Sequence, residues 1–140
     1  MSQYLDRYTF AAAVLLALLL VGIAHTAAQA RSPLNIAQSY VGTNPTGWSH
    51  NWCGKFADLT LRKAGKPGGG NLARGYATYG RPSACRPGAI AVMASHVGFV
   101  TACHGDSVSI ISGNHSGKSG HRTVGPGRYR MSRIISFRWP

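Results

Sequence analysis

Fifteen residues from Phe10 to Ala24 form an unbroken apolar run, and the residues on either side of it decide how much chain is left to fold. A short polar start carrying Asp6 and Arg7 precedes the run. His25-Thr26 and then Ala28-Gln29-Ala30 come after it. This is the n-region, h-region and A-x-A site of a secretory signal peptide. The rival reading is an uncleaved membrane anchor. A spanning helix needs about 20 apolar residues, and His25, Thr26 and Gln29 interrupt that length. Either way, residues 31–140 are expected outside the cytoplasm, in the periplasm or beyond it. Those 110 residues suit one domain with a modest core.

Charge narrows the chemistry. Fifteen Lys and Arg stand against three acidic residues, all Asp, for a net charge of +12. With no Glu, only Asp6, Asp58 and Asp106 can supply a carboxylate. Paired-carboxylate glycosidase chemistry is disfavoured, and an EF-hand lacks its ligands. Leu, Ile, Val and Phe number nineteen in residues 31–140, which with this charge lies in the disorder-prone range. Three Trp and four Tyr there add buriable surface, and the apolar positions are periodic.

The periodicity predicts an α+β domain. Ser32 caps a helix with Pro33 at its first position, and Gly42 closes it. Residues 43–50 read as a loop. A second helix is expected over 52–64, ended by Gly65 and the breaker run 66–70. A third, short helix is expected over 71–79. Strands are predicted at 89–93, 96–102, 107–112, 121–124 and 134–139, with a Gly/Ser-rich loop at 113–120. Helices first and an antiparallel meander after them make the class.

Three cysteines are an odd number for an exported chain. Ala94-Ser95 reads as a two-residue hairpin tip, which pairs Met93 with His96. Cys85 and Cys103 then become diagonal neighbours at the hairpin's open end, a small slip in register from bonding distance, and a Cys85–Cys103 disulfide is expected. Cys53 is left as a free thiol. It opens the second helix, where free N–H groups and the helix dipole stabilise a thiolate. Its own N–H can also face an oxyanion. Read blandly, it is a small core residue. His96 is the best base. It opens a strand on whose alternation His96, Gly98 and Val100 share a side, and Gly98 leaves room for a close approach. A Cys–His pair needs a third polar group to orient the imidazole. Asn114 is the first candidate, with Ser112 and His115 behind it.

Together these residues carry a resemblance. Trp52-Cys53-Gly54-Lys55-Phe56, Pro87-Gly88-Ala89-Ile90-Ala91-Val92, His96-Val97-Gly98-Phe99-Val100, Ser112-Gly113-Asn114 and Phe137-Arg138-Trp139-Pro140 occur in order across residues 31–140. The set resembles the NlpC and CHAP group of papain-like cysteine peptidases and amidases of bacterial cell walls. The resemblance implies a Cys-bearing helix packed on a His-bearing antiparallel sheet. It implies Cys53 as nucleophile, His96 as general base and Asn114 as the orienting residue. It further implies amide cleavage in peptidoglycan stem peptides through a thioester, with no metal and no cofactor. Four positions depart from the group's pattern. Gly54 stands where Ala is usual, which predicts a looser helix start. Ala89 replaces an Asp, and His115 replaces a common Gln. Ser112 stands where some relatives carry an acid.

Other readings fit less well. The charge would suit nucleic acid, but the basic residues are dispersed and the export signal goes unexplained; no nucleic-acid partner is expected. An anionic envelope polymer such as peptidoglycan is a more economical partner. Zinc binding by His104, His115, His121 and a Cys lacks short ligand spacing. Gly65–Gly70 contains no phosphate-loop pattern and reads as a flexible loop. The serious alternative is a catalytically inactive cationic wall-binding domain on the same fold.

Overall fold

Ser32 and Pro33 start the chain's first element as their types favour. Ser32 Oγ accepts from the Asn35 N–H at 3.2 Å, and Pro33 occupies the first turn of α1, Pro33–Ser39. The computed structural model describes residues 32–116 and 121–140, and the leader expected at residues 1–30 lies outside them. Helix α2 spans Cys53–Lys63, and a 3-10 helix at Ala73–Thr78 stands where a third helix was expected. The strands are β1 Arg81–Ser83, β2 Ile90–Val92, β3 Val97–Cys103, β4 Ser107–Ser116, β5 Arg122–Arg130 and β6 Ser136–Trp139.

They form one antiparallel sheet in the order β1-β6-β2-β3-β4-β5. The domain is thus α+β. It is not a pure meander, because β6 returns to lie between β1 and β2. Two further differences from expectation concern strand length. β4 runs on to Ser116 instead of ending at Ser112, and β5 runs to Arg130 through Gly125-Pro126-Gly127. The outer side of β5 meets the loop after α1: Val41 bridges Val124, Gly42 N–H donates to Val124 O at 2.9 Å, and Val124 N–H donates to Thr43 O at 2.8 Å.

Alternation along the strands divides the core between the two faces of the sheet. On one face Trp52, Phe56 and Leu61 of the α2 region meet Val97, Phe99 and Ile111. The other face gathers Ala91, Met93, Val100, Val108 and Ile110 under Phe137, Trp139 and Tyr129. Ala89, in place of the Asp common in the resembling group, is fully buried in this second cluster, where a carboxylate would be desolvated.

The β2–β3 hairpin has the register that a two-residue tip requires. Ile90 faces Phe99, Ala91 faces Gly98 and Val92 faces Val97, with Met93 N–H donating to His96 O at 2.8 Å. Cys85 and Cys103 are bonded at the open end, their Cα atoms 6.2 Å apart and 18 residues apart in sequence. A closure of that length stabilises by about 3 kcal/mol. The Cys85→Ser/Cys103→Ser variant is expected to lose about that much, read as a lower urea midpoint with a somewhat steeper slope, because the uncross-linked denatured chain exposes more surface.

Candidate active site

Cys53 begins α2 directly after Trp52, and both are packed in the core facing the sheet. Only 5% of Cys53 is exposed. Its Sγ lies against the backbone at the start of β3, donating to Ser95 O at 3.9 Å. Burial pushes the thiol above its ordinary range. The N–H groups of Val97, Gly54 and Cys53 pull it back down, which is the stabilisation a thiolate needs. His96 stands between Ser95 and Val97, so helix start and strand start bring thiol and imidazole to the same end of the sheet.

The glycines around this junction are there for close approach. A Cβ on Gly54 would collide with the main chain of Asn71, and one on Gly113 would lie 2.6 Å from Phe56 Cβ and the Trp52 ring. The expectation of a looser helix start at Gly54 is therefore corrected: the missing methyl lets segment 70–73 lie directly on α2. The glycine run before it is also less free than its composition suggests. Gly70 N–H donates to Asp58 Oδ1 at 3.0 Å, and Tyr76 OH donates to Gly70 O at 2.9 Å and Gly54 O at 3.1 Å. Tyr79 OH donates to Pro67 O at 2.6 Å. That segment becomes a wall of a cleft of about 440 Å³, into which Cys53 opens beside Asn71, Leu72 and Arg74.

His96 opens on a second cleft, of about 380 Å³, with Tyr129, His115, Arg122 and Arg133. Ser95 and Asn114 belong to both linings and form the divide. The group that meets the imidazole is Ser112, whose Oγ lies 2.8 Å from His96 Nε2. The orienting contact expected of Asn114 is thus made by one of the runners-up. Gly98 is what admits it: a Cβ there would lie 2.9 Å from Ser112 Cβ. Asn114 instead adopts φ 60°, and its Oδ1 is buried with no hydrogen-bond partner. Among the described residues the non-glycine positions with positive φ are Asn51 and Asn114, and both line the Cys53 cleft.

The imidazole is held neutral. Burial, then the positive fields of His115 and Arg133, push His96 down to about 4. No carboxylate lines either cleft. Asp58 pairs with Arg62 at 2.8 Å, and Asp106 accepts from Ser107 Oγ at 2.9 Å. The shifts thus favour an uncharged Cys53 thiol on one cleft and a neutral His96 imidazole on the other.

Tyr129 escaped the sequence reading. Its ring lies 5.5 Å from that of His96. Burial pushes its phenol up, Ser112 and Arg133 oppose this, and Cys53 adds to it, so all three stand within its electrostatic reach. The one signal was Gly127, whose bare backbone the Tyr129 ring covers. Among the described residues no group of three His, Cys, Asp or Glu is placed to hold a metal ion, and none of their helices is long and apolar enough to cross a membrane. Comparison with family models, curated proteins and solved structures finds no match.

Proposed function

We propose that the chain is an exported peptidoglycan hydrolase of the NlpC/CHAP papain-like kind, cutting an amide bond in wall stem peptides by way of a Cys53 thioester. The observation that carries this reading is the placement of Cys53 Sγ. It sits at a helix N-terminus, among three backbone N–H groups, against the strand start that bears a Ser112-braced His96.

With Nε2–H donating to Ser112 Oγ, the His96 lone pair is on Nδ1. That nitrogen takes the thiol proton as Sγ bonds to the amide carbon, and the carbonyl pair moves onto oxygen. The Cys53 N–H is at hand for this oxyanion. His96 then gives its proton to the leaving nitrogen as the C–N bond breaks. Water, giving a proton to His96, attacks the thioester; the S–C bond breaks and the thiol is restored. Asn114 Oδ1, buried and unpartnered on the divide, is an acceptor for a substrate N–H.

The lowered His96 sets the pH dependence. The base works in its neutral form, so activity is lost as pH falls through its pKa. A value near 4 places the acid limb of kcat/KM near pH 4, well below the ordinary 6.5. A pH–rate profile on a soluble stem peptide checks it.

The inactive wall-binding reading keeps one specific support. Ser112 brings no charge to the imidazole, and an unassisted imidazolium costs free energy beside Arg133. Incubating the protein with purified sacculi separates the two. Soluble fragments whose masses locate a cut amide establish the hydrolase. Tight, salt-sensitive binding with no fragments establishes the binding domain.

A further inference from the structure

The cleft on the His96 side is built from groups that acyl transfer leaves without a task. Arg122 stands at the start of β5 and Arg133 just past its end, both exposed, with His115 and Tyr129 between them. Two glycines seat those rings. A Cβ on Gly125 would lie 2.7 Å from the His115 ring, and one on Gly127 would lie 2.8 Å from the Tyr129 ring. Residues two apart on a strand share a face, so β5 has given up two neighbouring side chains to make this wall.

Its charge is unbalanced. Arg133 lies over the Tyr129 ring at 5.4 Å, and Arg122 Nη1 makes a long 3.4 Å contact to Asn114 O. No carboxylate lines the cleft, and among the described residues ion pairing is confined to Asp58 and Arg62. Two guanidinium groups thus border a recess of about 380 Å³ without a counter-ion. Such groups present paired donors that match a carboxylate. Position gives the direction. An amide lying across the Ser95–Asn114 divide puts its acyl half beside Cys53 and its amine half beside the arginines.

The geometry points to an anion subsite in this recess: Arg133 and Arg122 take a carboxylate carried on the amine side of the cleaved amide. The choice of substrate rests on the hydrolase reading; in a wall stem peptide the matching group is the free side-chain carboxylate of a diamino acid. The bound anion also changes the base. His96 is faced by Arg133, His115, Tyr129 and Ser112, and none of these is negative in the resting site. A carboxylate there favours the imidazolium that forms as Cys53 attacks. The substrate brings the charge that Ser112 lacks.

Calorimetric binding to the Cys53→Ala protein tests this without turnover. The probes are two γ-D-glutamyl-diaminopimelyl peptides that differ only at the diamino acid's side-chain carboxylate, free in one and amidated in the other. The free acid is expected to bind about tenfold more tightly. Arg133→Gln and Arg122→Gln bring the two probes close to parity. Arg81→Gln, on β1 at the opposite edge of the sheet, leaves the preference intact. In NMR titrations the His96 midpoint rises with the acid and not with the amide. Equal binding of both probes, or equal loss of preference in Arg81→Gln, overturns the subsite. A preference shown by a protein that releases nothing from sacculi keeps the subsite and removes the hydrolase reading.

Discussion

On the proposed hydrolase reading, Cys53→Ala is expected to release no soluble fragments from sacculi, a loss on the order of 10⁴-fold or more, because it removes the covalent nucleophile. The fold survives. The side chain is small and buried, and Ala keeps the helix start and its N–H groups, so the cost is about 1 kcal/mol. His96→Ala is the informative companion. Removing a general base typically costs about 10²–10⁴-fold. Here the thiol is already pushed up by burial, so little thiolate forms without the base, and the loss falls toward the upper end. Fragment release is scored by mass spectrometry and folding by circular dichroism. Fragments from Cys53→Ala equal to those from the wild type would return Cys53 to a packing role.

Gly54→Ala is the second large effect, and it runs against helix propensity. Ala for Gly inside a helix ordinarily gains about 1 kcal/mol. At this position the added methyl meets the Asn71 carbonyl and the Ala73 N, which belong to main chain and cannot rotate away. Overpacking of this kind costs about 1–3 kcal/mol. A net loss of about 1 kcal/mol is expected, lowering Tm by about 5 °C. Segment 71–74 also walls the Cys53 cleft, so fragment release falls with it. Thermal melts decide: a raised Tm would show that the segment does not rest on α2.

Both expectations rest on contacts between segments distant in sequence, and this marks where sequence reading ran out. The Ser32 cap, the α2 stripe and the hairpin register are local rules, so they were legible. The register in turn brought Cys85 to Cys103. β5 was cut short because Gly125-Pro126-Gly127 reads as a turn, whereas the glycines are used to seat two rings. β1 contains Pro82 and has only three residues, too few for a pattern. The choice between Asn114 and Ser112 was beyond alternation. Residues two apart on a strand should share a face, but the β4–β5 register shifts between Ser112 and His115. The positive φ of Asn114 falls inside that shift, and it is Ser112 Oγ that meets His96 Nε2. Gly54 looked like a weakness because the segment it accommodates lies beyond the end of its own helix.

The sheet's two outer strands bear on how the molecule behaves in company. An unpaired strand offers N–H and C=O groups to any similar strand, and copies of a protein can add to one another that way. At one margin β1 is three residues long and contains Pro82, which lacks a donor. At the other, Val41 and Thr43 cover the start of β5 at Val124, Pro126 removes a further donor, and Arg122, Arg128 and Arg130 repel a second copy. Part of the basic composition thus serves to keep copies apart, independently of any ligand. Strand-to-strand addition of copies is thereby disfavoured at both margins of the sheet.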